Sequence, residues 1–264
     1  MTHAGGALAT VPNILITGAS SGIGAALARR YANPGMHLAL TARHRERLEA
    51  VARECGARGA ETTTGFCDIR KAEEICRFVE EVDGRRPITM VIANAGIGGE
   101  LVIAGQAGES AEVAREIFET NVMGVFNTIV PLLPRFVARG EGHVVIMSSL
   151  AAFVGLPDAP AYSASKAAVR TYGQALGPLL APKNVRVTIV CPGFVDTPMS
   201  ASLPGRRPLL WSAERAADAI AGGLARGKQE IAFPWQLSAL AKLSAHLPQA
   251  VIRRLRGRIL SHRQ

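Results

Sequence analysis

Residues Asn13–Thr17 form a short apolar run that passes at once into a glycine-rich turn, Thr17-Gly18-Ala19-Ser20-Ser21-Gly22-Ile23-Gly24, and then into Ala25-Ala26-Leu27-Ala28. A strand that feeds a helix through a tight glycine turn constrains the fold strongly, because it opens an alternating α/β chain. It also makes an anion site. Glycine lets the backbone approach a pyrophosphate, and the first-turn N–H groups at the positive end of the helix point at it. The stretch reads as a dinucleotide-binding turn, with Gly18, Ser20, Ser21, Gly22, Ile23 and Gly24 as candidate cofactor contacts. The same residues, Gly18-Ala19-Ser20-Ser21-Gly22, also match the Gly-x-Ser-x-Gly nucleophile elbow of the α/β-hydrolases. That alternative needs an acid and then a histidine late in the chain. The late histidines, His246 and His262, lie in a basic tail, and an elbow normally follows several strands instead of standing at residue 18.

Strand-like runs at 36–41, 61–66, 88–92, 143–147 and 185–190 alternate with helical stretches near 44–55, 70–82, 110–138 and 161–180. Such alternation predicts a parallel sheet covered on both faces, with its ligand beyond the carboxyl ends of the strands. Asp68-Ile69, Asn94-Ala95-Gly96, Ser148-Ser149 and Pro192-Gly193 each follow one of these runs, although Asp68 also suits a plain helix cap. No linker, like-charge run or repeat divides the 264 residues, and 48% hydrophobic with 5% aromatic content describes an Ala/Val/Leu/Ile-packed domain. Residues 1–234 are read as that domain and 235–264 as a basic helical extension. Cys55, Cys67, Cys76 and Cys191 show no Cys-x-x-Cys spacing, which argues against a metal site and a disulfide framework. The first eleven residues lack a signal peptide's basic start, and no uninterrupted apolar run is long enough to span a bilayer, so a cytoplasmic location is expected.

Tyr162-Ser163-Ala164-Ser165-Lys166 places a phenol and an ammonium on one helical face. A free tyrosine titrates near roughly 10, and a close cation favours phenolate by ~1–3 units, which makes the pair a candidate acid/base. The end of the second strand, Thr41-Ala42-Arg43-His44-Arg45, lacks the acid that would hold a ribose 2′-hydroxyl; Arg43 suits a 2′-phosphate there, while Arg45 is read as a solvated helix start.

Thr17-Gly18-x-x-x-Gly22-x-Gly24, Asn94-Ala95-Gly96, Asn121, Ser149, Tyr162-x-x-x-Lys166 and Pro192-Gly193 occur in the order and spacing of the short-chain dehydrogenases/reductases, which the chain resembles over roughly residues 12–234. The resemblance implies a doubly wound Rossmann sheet of about seven strands, the last at Glu230–Phe233, and hydride transfer between NAD(P) and an alcohol or carbonyl, with Arg43 favouring NADP(H). It implies Tyr162 as acid/base, Lys166 as the cation that tunes it and bonds the nicotinamide ribose, Ser149 as the hydrogen bond to the substrate oxygen, and Asn121 as the holder of a water beside the lysine. Asn94, Ala95 and Gly96 would line the adenine-ribose side, Asp68 and Ile69 would border the adenine, Thr197 would meet the carboxamide or pyrophosphate, and Pro192 and Gly193 would be further cofactor contacts. It further implies a homodimer or homotetramer. A catalytically silent NADP(H)-binding relative and a basic surface-binding protein are the alternatives; the complete Asn121, Ser149, Tyr162 and Lys166 set favours an enzyme.

Three stretches stand apart. Pro178 in the helix after Tyr162 predicts a bend or an early stop. Residues 194–212, with Met199, Leu203, Pro204, Leu209, Leu210 and Trp211, are expected to choose an apolar carbonyl or alcohol substrate, and Arg206 and Arg207 read as a solvated loop tip. From Trp235 onward there are six Lys/Arg and no acid, and Val251, Ile252, Leu255 and Ile259 share one helical face. Such a tail either packs on the protein or a partner subunit, or lies on an anionic membrane. Nucleic acid is not expected, because no binding module accompanies the charge of +9.

Overall fold

The computed structural model describes residues 12–98, 109–201 and 206–244. Seven parallel strands form one sheet in the order β3-β2-β1-β4-β5-β6-β7. They are β1 (Asn13–Thr17), β2 (His37–Thr41), β3 (Glu61–Gly65), β4 (Met90–Ala93), β5 (Gly142–Met147), β6 (Val185–Pro192) and β7 (Glu230–Phe233). The doubly wound architecture expected from the alternating pattern is present. Register follows from side-chain alternation: Ile14 and Ile16 pack under helices α1 (Gly22–Tyr31), α2 (Arg45–Ala57) and α9 (Ala213–Ala225), while Leu15 between them faces the opposite layer. That layer contains α3 (Ala72–Arg85), α4 (Ala111–Phe118), α5 (Gly124–Ile129), α6 (Leu133–Arg139) and α7 (Pro160–Leu180). Short α8 (Pro198–Ala201) and α10 (Trp235–Ser244) complete the described helices.

The order of strands reverses between β1 and β4, which is the point at which open sheets of this kind form a crevice beyond their carboxyl ends. Helices α4 to α6 run on continuously through a π-helical turn, Glu119–Met123, and a 3₁₀ turn, Val130–Leu132. Although Ala111–Arg139 is long and apolar enough to cross a membrane by length and composition, it packs against α3, α7 and β4. Pro178 neither bends α7 into two pieces nor stops it at once, since the helix continues to Leu180. Proline removes only one donor so close to the helix end, and Gly177 before it has no Cβ to crowd the proline ring.

Candidate active site

The glycine turn is held from β4. Thr17 Oγ1 accepts from the backbone N–H of Asn94 at 3.1 Å and of Ala95 at 3.0 Å, while Asn94 Nδ2 donates to Thr17 O at 2.9 Å and Gly18 O at 3.4 Å. Gly18 and Gly22 adopt positive φ, 67° and 54°, as the reversal from strand to helix requires. Gly24 has a packing role, because a Cβ there would run into Gly18 O and hold α1 off the strand. Ser20, Ser21, Gly22 and Ile23 are partly exposed at the crevice, and Ser21 precedes α1 in an extended conformation with no side-chain cap bond. The first-turn N–H groups of α1 are therefore left without a side-chain acceptor, which fits a phosphate-bearing cofactor.

Around this turn stand the other sequence-predicted contacts. Arg43, beyond β2, is exposed, and its charge helps hold the carboxyl of Asp68, beyond β3, below its usual range; the main cause is a hydrogen bond from Arg70. Asp68 takes a forked pair of bonds from Arg70, with Nη2 to Oδ2 at 2.6 Å and Nε to Oδ1 at 3.1 Å, so its carboxylate is already committed. Ile69 is buried and packs against Gly124. Thr197 lies over the turn, its Cγ2 2.9 Å from where a Gly22 Cβ would begin. Pro192 ends β6, and Gly193 N–H donates to Phe233 O at 2.7 Å. Arg45 opens α2 and is exposed, as expected of a solvated helix start, while its guanidinium stacks 3.6 Å over the Phe66 ring, because its aliphatic stem can cover apolar surface while the charge stays wet.

The catalytic candidates converge at the ends of β4 and β5. Lys166, buried on α7, donates from Nζ to Met147 O at 3.1 Å, and its own carbonyl accepts from Ser148 Oγ at 2.8 Å. Ser148 is thereby engaged in holding α7. Ser149, one residue on, instead accepts on Oγ from Ala151 N–H at 3.1 Å at the start of a 3₁₀ turn, donates to Pro192 O at 3.5 Å, and stands near enough to Tyr162 to oppose the effect of burial on the phenol. Asn121 sits in the π-helical turn with no exposed surface, and its amide grips the backbone of Ile97: Oδ1 accepts from Ile97 N–H at 2.8 Å and Nδ2 donates to Ile97 O at 2.9 Å. Nδ2 also donates to Ser165 Oγ at 3.1 Å, three residues after Tyr162. A π turn widens the helix locally, and here it presents Asn121 inward between the β4 loop and α7.

Burial, opposed by the hydrogen bond from Ser149, raises the Tyr162 phenol above its ordinary value. Burial likewise draws the Lys166 ammonium down to about 8. The lowering of Tyr162 expected from Lys166 is therefore not what the protein chain alone produces, since Lys166 Nζ stands 5.8 Å from the ring centroid and desolvation outweighs its attraction. The site holds a protonated phenol beside a lysine near its titration point.

Beyond β6 the structure corrects part of the expected substrate segment. Trp211 is a packing residue, stacked on Phe233 at 4.8 Å between centroids and covered by Arg215 at 4.0 Å, because Val195 and Trp211 pair as a short parallel bridge that turns the indole inward. Arg207 is no free loop tip; it reaches Asp196 at 3.6 Å and Ser200 Oγ at 3.4 Å. Met199, Leu209 and Leu210 are exposed, and Met199 approaches Gly98 at the mouth of the β4 loop. Leu203 and Pro204 lie outside the described residues, as do the tail positions 251–259.

Sequence reasoning missed the supports. Glu109 Oε2 accepts from Ala161 N–H at 2.7 Å and so caps α7 one residue before Tyr162. The separation of 52 residues left no local signal for it. Ser165 was within reach of the Tyr162 pattern, since i and i+3 share a face, but its partner Asn121 was not.

A family model for short chain dehydrogenase matches residues 12–207. An uncharacterized oxidoreductase of Myxococcus xanthus is 36% identical over 247 residues, covering 92% of this chain and 96% of that one. A short-chain dehydrogenase from Sphingobium yanoikuyae, solved in complex with NADPH, superposes with a TM-score of 0.76 at 27% identity, covering 90% of this chain and 97% of the other. A variant of the actinorhodin polyketide ketoreductase, solved with NADPH, does so with a TM-score of 0.76 at 29% identity, covering 86% and 97%.

Proposed function

From the premise that this chain belongs to the short-chain dehydrogenase family and is an oxidoreductase, we propose that it interconverts a carbonyl and a secondary alcohol with NADP(H), on an apolar substrate, with Tyr162 as the acid/base. The observation that carries this reading is the convergence of a half-buried Tyr162, Ser149 and a buried Lys166, whose Nζ stands 5.8 Å from the Tyr162 ring, at one end of the sheet. In reduction Tyr162 gives its proton to the carbonyl oxygen, and Ser149 donates a hydrogen bond to the same oxygen as negative charge grows there. A nicotinamide held beside the glycine turn would supply the hydride. In oxidation the phenolate takes the hydroxyl proton, and Lys166 stabilises that phenolate. Asn121 positions the group by fixing Ile97 on one side and Ser165 on the other.

The choice of NADP(H) over NAD(H) rests on the exposed Arg43, on Ala42 where an acid would repel a 2′-phosphate, and on the NADPH in related proteins. The apolar substrate rests on exposed Met199, Leu209 and Leu210 beside the crevice. We assign a homodimer or homotetramer to the exposed Phe118, Met123, Val130 and Val137 along α4 to α6 with Leu179 on α7, and a reducing, cytoplasmic setting to the free cysteines. The test is oxidation of NADPH, with NADH in parallel, against ketones, steroids, 3-oxoacyl thioesters and long-chain aldehydes. Turnover with a ketone and NADPH is expected; no oxidation of either cofactor by any member of the panel would remove the reading.

A further inference from the structure

Helix α10 leaves β7 at the edge of the sheet and turns one apolar face to solvent. Trp235, Ala239 and Leu243 recur at helical spacing with Leu240 beside them, and Trp235 is 73%, Leu240 63% and Leu243 62% exposed. The side next to Trp235 is fastened: Ser238, one turn on, is buried, and Lys242 pairs with Glu230 at 2.7 Å, which also takes Arg170 of α7 at 2.9 Å. Between α9, β7 and α10 lies an open cleft of about 520 Å³ whose rim includes Arg226, Lys228, Lys242 and Trp235. Arg226 and Lys228 are both exposed. From residue 226 to the end the chain has eight Lys/Arg against one acid, Glu230, and that acid is already paired on both sides.

An exposed tryptophan-leucine face beside unneutralised cations has the composition of a surface that meets lipid headgroups and the acyl boundary together. We infer that α10 and the cationic cleft beside it dock this protein on the surface of an anionic phospholipid bilayer, with Trp235, Leu240 and Leu243 entering the interface and Arg226 and Lys228 facing the headgroup phosphates. The bilayer, instead of another protein, is the occupant favoured by charge: a second copy would bring the same excess of cations to the contact, whereas an anionic leaflet neutralises it. The inference is independent of the chemistry at Tyr162.

The experiment is co-sedimentation of the full chain with vesicles of phosphatidylcholine alone and of phosphatidylcholine with phosphatidylglycerol, at low and raised salt. Two variants are compared with it, Trp235→Ser/Leu240→Ser/Leu243→Ser and Arg226→Glu/Lys228→Glu, each checked for an unchanged melting temperature and oligomeric state. Pelleting only with the anionic vesicles, weakened by salt and reduced about tenfold or more in both variants, is the expected result. Equal pelleting with both vesicle types, no pelleting, or full pelleting by either variant overturns it. Dissociation of an oligomer by the serine variant with vesicle binding unchanged also overturns it and assigns the face to a second copy. If the serine variant melts early, the charge-reversed variant alone decides, since its side chains lie wholly at the surface.

Discussion

Lys166 Nζ lies 3.2 Å from the point at which a Cβ on Gly96 would begin, and Asn121 Oδ1 lies 3.0 Å from the same point. Gly96 is therefore the space into which the ammonium and the amide both fit. Its substitution by alanine must move one or both, at an overpacking cost of about 1–3 kcal/mol. Gly96→Ala is expected to lower kcat at least tenfold while the protein still folds, because a displacement of even 1 Å at a catalytic group is costly. Steady-state kinetics beside a thermal melt checks this; an unchanged kcat would mean that Lys166 need not occupy its observed place.

Tyr162→Phe removes one proton and no phosphate contact. Turnover should fall by ~10²–10⁴-fold while NADPH affinity, measured by fluorescence titration, stays within a few-fold of the parent. Retention of a tenth of the activity would assign the proton to another group.

The direction of the reaction should respond to pH. Tyr162 is held protonated by burial and Lys166 titrates near 8, so below that value the pair is phenol and ammonium. Carbonyl reduction, which uses the phenol proton, should persist through neutral pH and weaken as Lys166 gives up its charge above about 8, whereas alcohol oxidation, which needs phenolate, should become appreciable only above the ordinary tyrosine value of ~10. Profiles of kcat/KM in both directions between about pH 6 and pH 11 test this, and an oxidation rate already at its plateau at neutral pH contradicts it.

Cofactor preference should follow the end of β2. Ala42→Asp with Arg43→Ala replaces a phosphate-binding rim by one that accepts a ribose hydroxyl, and a lost charged hydrogen bond of roughly 1.5–3 kcal/mol corresponds to about ten- to a hundredfold. Dissociation constants for NADPH and NADH before and after the change measure it. A parent protein that already prefers NADH would sink the assignment of Arg43.

His143 predicts acid sensitivity of the fold. It is 2% exposed, bonded through Nε2 to Thr188 Oγ1 at 2.9 Å, and burial pushes it down to about 4 from an ordinary 6.5. Between those values the unfolded chain binds a proton that the folded chain does not, so stability falls as pH falls from about 6.5 to about 4. The loss from this group is about 3 kcal/mol. Urea melts of the parent and His143→Gln between pH 7 and pH 4 should converge at the acid end, and parallel losses in the two proteins would show that His143 is not responsible.

The alternating pattern of apolar runs and helical stretches was enough to specify a parallel sheet covered on both faces, because burial on two sides demands continuous apolar strands and the glycine turn permits only one kind of strand-to-helix passage. The residues at the strand ends were legible for the same reason. They are local motifs, and the topology brings every strand end to one edge. Element limits moved by only a few residues, as with β6, which extends through Cys191 to Pro192 where 190 was expected.

Tertiary structure decided what no local pattern contains. Trp211 looked like part of a substrate lid and is instead half-buried against the core, because Phe233 stacks on it from β7, an element that sequence spacing does not relate to it. Asn121 and Ser165, 44 residues apart, form one hydrogen bond only because a π turn aims the amide at α7. The sign of the Tyr162 shift was decided in the same way. A cation four residues along a helix argues for a lowered value, but burial is a property of everything packed around the ring, and here it prevails. Sequence alone determined which chemical groups stand at the ends of the strands; three-dimensional packing determined which of them are already bonded and how strongly each holds its proton.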